Sequence, residues 1–115
     1  QKKVVDIAVA YDKAFCFYYP ENIEALENAG ANLKFFDTMN DRELPETDGI
    51  YIGGGFPESF LKELEGNTSM RQQLRSQIEA GKPTYAECGG LMYLTRSIKY
   101  DNVSANMVGT IPADV

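Results

Sequence analysis

The chain has 115 residues, 43% apolar and 24% charged, the size and mix of one ordinary globular domain. That excludes a disordered tail or a collagen-like repeat, and no apolar run approaches the ~20 residues a membrane helix needs. Seventeen acids against eleven bases, net -6, disfavour nucleic acid and anionic membranes, whose phosphates basic side chains must neutralise.

Short apolar runs alternate with helical patterns, the signature of an α/β protein with a parallel sheet. Val4–Ala10, apolar except for Asp6, predicts a strand covered on both faces. A loop rich in aromatics follows: Tyr11, Phe15, Phe17, Tyr18 and Tyr19. Pro20, with Glu21 behind it, opens a helix whose apolar face is Ile23, Leu26 and Ala29, and Gly30 ends it. Asn32–Phe36 predicts the second strand. Residues 37–48 hold five acids, one arginine and Pro45 without periodicity, so they read as a surface loop and not an acid cluster.

Gly49–Ile52 predicts the third strand, followed by Gly53-Gly54-Gly55-Phe56-Pro57-Glu58. Pro57 starts a helix carrying Phe60, Leu61 and Leu64. Asn67 caps the next one, with Met70, Leu74 and Ile78 inward and Gly81 at its end. Pro83–Glu87 predicts the fourth strand, and Cys88-Gly89-Gly90 turns into a helix over Leu91–Leu94. Beyond Arg96 the pattern weakens. The apolar positions of Val103–Pro112 have no evident partner, and the chain reads as a piece of a longer protein.

Ligands of open parallel sheets sit beyond the carboxyl ends of the strands. Three features fall there: the aromatic loop, the glycine loop and Cys88. Strand–Glu87-Cys88-Gly89-Gly90–helix has the form of a nucleophile elbow, in which glycine follows because the turn leaves no room for side chains. A helix start favours the thiolate form, and the Gly89 amide points to where an oxyanion would form. The competing reading is a structural cysteine beside a tight turn. The amides of the tight loop Gly53–Gly55 supply the other half of an oxyanion hole, grip a substrate's main chain, or belong to a plain turn; the spacing matches neither a Walker loop nor G-x-G-x-x-G. Cys16, between Phe15 and Phe17, reads as a small buried or half-buried residue, and the aromatics around it as packing. Asp12 and Lys13 read as an ordinary surface pair. Glu87 points to the side of the strand opposite Cys88. The chain has two cysteines and no histidine. The thiols read as free, in a cytoplasmic setting, and any mechanism needing an imidazole base is incomplete within these residues.

Three segments together carry a resemblance: Ala14-Phe15-Cys16-Phe17-Tyr18-Tyr19-Pro20-Glu21-Asn22, Tyr51-Ile52-Gly53-Gly54-Gly55-Phe56-Pro57-Glu58, and Tyr85-Ala86-Glu87-Cys88-Gly89-Gly90-Leu91-Met92-Tyr93-Leu94. With Met107-Val108-Gly109 and Ile111-Pro112, they resemble the glutamine amidotransferase domain of the cobyrinic (or hydrogenobyrinic) acid a,c-diamide synthases. The resemblance implies a flavodoxin-like three-layer core of the class I glutamine amidotransferase type, with residues 1–115 forming its N-terminal portion. It implies that Cys88 attacks the glutamine side-chain amide, that Gly89 with Gly54 or Gly55 forms the oxyanion hole, and that water hydrolyses the resulting thioester. Ammonia then passes to an ATP-dependent synthase domain, where it displaces phosphate from an activated corrinoid carboxylate. The implied partners are glutamine, that synthase domain and, through it, the tetrapyrrole. No cofactor is expected on these residues; ATP and magnesium belong to the synthase domain. The family's catalytic histidine lies downstream of every residue here, so little or no glutaminase activity is expected of these residues alone. A close variant of the family amidates Ni-sirohydrochlorin. The alternatives outside it are a cysteine-elbow protein of the redox-sensing or hydratase kind, and a binding module whose cysteine is structural.

Overall fold

A computed structural model describes residues 4–115. In chain order the elements are β1 (Val5–Ala10), α1 (Pro20–Asn28), β2 (Ala31–Phe36), β3 (Gly49–Ile52), a 3-10 turn (Pro57–Phe60), α2 (Leu61–Gly66), α3 (Thr68–Glu79), β4 (Thr84–Ala86), α4 (Gly89–Tyr93), β5 (Thr95–Tyr100), β6 (Val103–Asn106) and β7 (Ile111–Asp114). β1 to β4 form a parallel sheet ordered β2-β1-β3-β4, the first four positions of the flavodoxin-like order. The α/β class and the flavodoxin-like core follow from that order.

Alternation along the strands sorts the two faces. Ala8 and Ala10 lie in register with Ile50 and Phe36. They bury against Leu61 and Leu64 of α2 and Met70 and Leu74 of α3. The predicted caps hold: Asn67 Oδ1 accepts from the Met70 amide at 3.4 Å, and Gly30 and Gly81 end their helices at φ 104° and 103°, a conformation costly for residues with a β-carbon.

The opposite face is more open. No residue of α1 is fully buried, and a groove of about 620 Å³ runs beside it, lined by Ile7, Leu26, Ile50, Tyr51, Pro83 and Tyr85, among others. The apolar face predicted for α1 therefore borders this groove and is only partly covered.

The segment after Arg96 departs from the sequence reading. Val103–Pro112 does have a partner: β6 pairs antiparallel with β5, Ile98 opposite Ala105, and β7 pairs parallel with β5, Thr95 opposite Ile111. The β5–β6 hairpin closes through Asp101 and Asn102, both left-handed at φ 54° and 63°, as in a two-residue turn whose twist matches that of its strands. In β5 only Thr95 and Ile98 are buried, too few for alternation to declare a strand.

Candidate active site

The carboxyl ends of β1, β3 and β4 bring the aromatic loop, the glycine loop and Cys88 to one edge of the sheet. Cys88 is the residue before α4 and is exposed. Its backbone stands at φ 51°, ψ -117°, a region that costs a residue with a β-carbon about 1–3 kcal/mol. Such strain persists only where the surroundings impose it. Here they do so through two glycines. A β-carbon on Gly90 would sit 2.2 Å from the Ile52 carbonyl oxygen, and one on Gly89 would sit 2.8 Å from Pro57 Cδ and 3.1 Å from the Gly55 nitrogen. α4 therefore starts directly on the end of β3 and on the glycine loop. With five residues, α4 offers free amides at its start and not a long dipole.

The glycine loop is held by the aromatic loop at three points. The Gly53 amide donates to Tyr18 Oη at 2.9 Å. The Phe17 amide donates to the Gly54 carbonyl at 3.1 Å, and the Phe56 amide to the Ala14 carbonyl at 2.8 Å. Phe17 and Gly54 thereby form an antiparallel bridge. In a trans peptide the N–H points opposite to the C=O. With the Gly54 carbonyl turned to Phe17, the Gly55 N–H is turned the other way, and both the nitrogen and the carbonyl oxygen of Gly55 border Gly89, each 3.1 Å from where its β-carbon would stand. Among the described residues, neither the Gly55 nor the Gly89 amide donates to a protein acceptor. Gly54 lies against Cys88: a β-carbon there would lie 3.7 Å from Cys88 Cβ and 3.5 Å from Phe17 Cβ. All four residues singled out in the sequence, Cys88, Gly54, Gly55 and Gly89, thus come together.

The neighbouring residues fall differently. Cys16 is exposed, not buried or half-buried: the loop turns Ala14 and Phe15 inward, both fully buried, and leaves Cys16 and Phe17 outside. Asp12 is not half of a surface pair with Lys13. Its carboxylate accepts from the amides of Ala14 (2.8 Å), Phe15 (3.0 Å) and Thr38 (2.7 Å) and from the Thr38 hydroxyl (2.8 Å). An Asx turn thus ties the aromatic loop to the end of β2. Phe15 is packing, buried against Tyr93 at 5.2 Å. Phe17 is not: it pairs edge-on with Phe56 at 4.9 Å, and both stay about half exposed beside the cysteine. Glu87 does face away from Cys88, accepting from the hydroxyls of Tyr51 (3.3 Å) and Tyr85 (3.4 Å) on the groove side. Burial, and then the Glu87 charge, raise the Tyr51 phenol above its ordinary range.

Tyr18 escaped the sequence reading. Its hydroxyl accepts from Gly53 and donates to the Ala10 carbonyl, and burial keeps the phenol protonated far beyond its usual range. The only hint in the sequence was the Phe17-Tyr18-Tyr19 run. Among the described residues no cluster of His, Cys, Asp or Glu fit to hold a metal ion occurs, and no helix is long and apolar enough to cross a membrane.

The CobB/CobQ-like glutamine amidotransferase domain matches residues 6–115. Curated relatives named cobyrinate a,c-diamide synthase include one from Methanosarcina acetivorans, 58% identical over 80% of this chain and 18% of its own length. Another, from Caldanaerobacter subterraneus subsp. tengcongensis, is 50% identical over 100% of this chain and 26% of its own. A third, from Listeria monocytogenes, is 50% identical over 91% and 23%. The chain thus spans a quarter or less of the length of most of these relatives.

Proposed function

The chain belongs to the CobB/CobQ-like glutamine amidotransferase domain family, and we propose that it forms the cysteine half of a glutaminase that supplies ammonia to an ATP-dependent cobyrinate a,c-diamide synthase. The observation that carries this reading is the strained, exposed Cys88 at the start of α4, packed against a glycine loop at Gly54, with the neighbouring Gly55 and Gly89 amides unengaged among the described residues.

In this reading Cys88 Sγ attacks the γ-carbonyl carbon of glutamine. A carbon–sulfur bond forms, and the carbonyl electron pair moves to oxygen, between the Gly55 and Gly89 amides. Each such donor is worth about 10²–10³ in rate. The carbon–nitrogen bond then breaks, and the leaving group takes up a proton and departs as ammonia. Water hydrolyses the thioester to glutamate and regenerates the thiol. These residues contain no histidine, so the proton carrier comes from elsewhere in the protein. Ammonia is consumed at the synthase part, which is also where ATP and magnesium act. The relatives' names favour a cobyrinate as acceptor; a nickel tetrapyrrole is the variant that these residues, which in this reading contact glutamine alone, do not separate from it.

The test is glutamate release by the intact protein, together with labelling by 6-diazo-5-oxonorleucine, a reactive glutamine analogue. Turnover abolished by Cys88→Ala, with glutamine-protected labelling confined to Cys88, is expected. Equal, slow labelling of Cys16 and Cys88 would refute a glutamine pocket at the elbow.

A further inference from the structure

We infer that Tyr18 is a positioning residue that sets the oxyanion hole through the glycine loop, without touching glutamine or the thioester. The inference rests on the glutaminase reading of Cys88 and adds a residue to it.

The hole needs the Gly55 N–H to point at the oxyanion, and that direction belongs to the Gly54–Gly55 peptide. A glycine-only loop has little of its own to hold that peptide, since glycine accepts nearly every backbone conformation. The orientation is imposed from the aromatic loop. Phe17 fixes the Gly54 carbonyl, Ala14 fixes the Phe56 amide, and Tyr18 fixes the Gly53 amide. Of these three ties, only that of Tyr18 uses a side chain, so only it is open to a conservative substitution.

Tyr18 ties two strand ends together. Its hydroxyl donates to Ala10, the last residue of β1, and accepts from Gly53, the first residue beyond β3. The neutral phenol does both at once, and burial keeps it neutral. The ring adds a steric term: a β-carbon on Gly53 would lie 2.6 Å from Tyr18 Cε1 and 2.9 Å from Cζ. The ring and the glycine backbone are therefore fitted to each other. Tyr51 packs edge-on against Tyr18 at 5.2 Å, but its hydroxyl donates to Glu87 and not to the glycine loop. Two hydroxyls of one aromatic cluster thus have separate expected effects.

The experiment compares Tyr18→Phe, Gly53→Ala and Tyr51→Phe in the intact protein. It measures kcat and KM for glutamine, and the rate at which iodoacetamide alkylates Cys88, a reaction that uses the thiol but no oxyanion hole. Tyr18→Phe is expected to lower kcat by about tenfold or more, part of what a lost donor costs, with KM and alkylation within about twofold. Gly53→Ala, which displaces the ring from the other side, is expected to do the same and decides the matter if Tyr18→Phe does not fold. Tyr51→Phe is expected to keep the wild-type kcat. Wild-type kcat in Tyr18→Phe overturns the inference. So does an equal fall in Tyr18→Phe and Tyr51→Phe, or a fall matched by slower alkylation, because either reports general loosening of the site. Absence of turnover in the unsubstituted protein, or its persistence in Cys88→Ala, refutes the glutaminase reading itself and the inference with it.

Discussion

Gly54 and Gly55 are adjacent, yet the structure gives their alanine variants opposite fates. A β-carbon on Gly55 would stand 1.9 Å from the Ala14 carbonyl oxygen and 2.9 Å from Phe15 Cα. Carbon and carbonyl oxygen meet at roughly 3.3 Å, so the two loops must part by more than about 1 Å. The same oxygen accepts from the Phe56 amide at 2.8 Å, and that bond goes with it. Overpacking costs about 1–3 kcal/mol and a lost hydrogen bond about 1 kcal/mol more, so Gly55→Ala should destabilise by about 2–4 kcal/mol. A donor displaced by about 1 Å should also cost on the order of 10² in turnover. A β-carbon on Gly54 meets only ordinary contacts, 3.5 Å to Phe17 Cβ and 3.7 Å to Cys88 Cβ, and Gly54 is not in the left-handed region. Gly54→Ala should therefore stay within about 1 kcal/mol of the parent, while its methyl crowds the space over Cys88 and raises KM. Urea unfolding and glutamate release by the intact protein read both quantities. Parental stability and turnover in Gly55→Ala would refute the packing of the two loops described above.

Other consequences are as direct. Cys88→Gly should be more stable than Cys88→Ala by about 1 kcal/mol in urea unfolding, both being inactive, because glycine relieves the positive φ that alanine retains. Among the described residues the buried Tyr93 hydroxyl has no hydrogen-bond partner, so Tyr93→Phe should be neutral or stabilising by about 1 kcal/mol; a clear loss in the same assay would reveal a partner such as an ordered water. The Arg96 guanidinium, and then the Ser97 hydroxyl, hold the Asp114 carboxyl down from 3.8 to about 2. The depressed value means the bridge favours the folded strand above about pH 4 and is lost as pH falls towards 2, so amide exchange in β7 should accelerate over that interval. An unchanged exchange rate would show that the pair, exposed on both sides, does not hold the strand.

The parallel sheet was legible because buried parallel strands are apolar runs, and β1 and β3 are such runs; proline and glycine punctuate the helices between them. The elbow was legible because its steric demand is written as adjacent glycines after a strand. The small β-sheet was not legible, since β5 buries few side chains and its sign lay in the turn pair Asp101-Asn102. Cys16 and Asp12 were misjudged because the direction of a loop side chain depends on contacts far along the chain, such as Asp12 with Thr38.

What the sequence determined by itself is the parallel sheet and the tight glycine turns beside Cys88, because strand burial and tight turns constrain residue types locally. Only the tertiary structure decided which loop carbonyl is tied to Phe17 and which tyrosine bonds the Gly53 amide. A peptide's orientation is set by the groups that bond its carbonyl and its neighbours, and here those groups, Phe17, Ala14 and Tyr18, come from the loop after another strand.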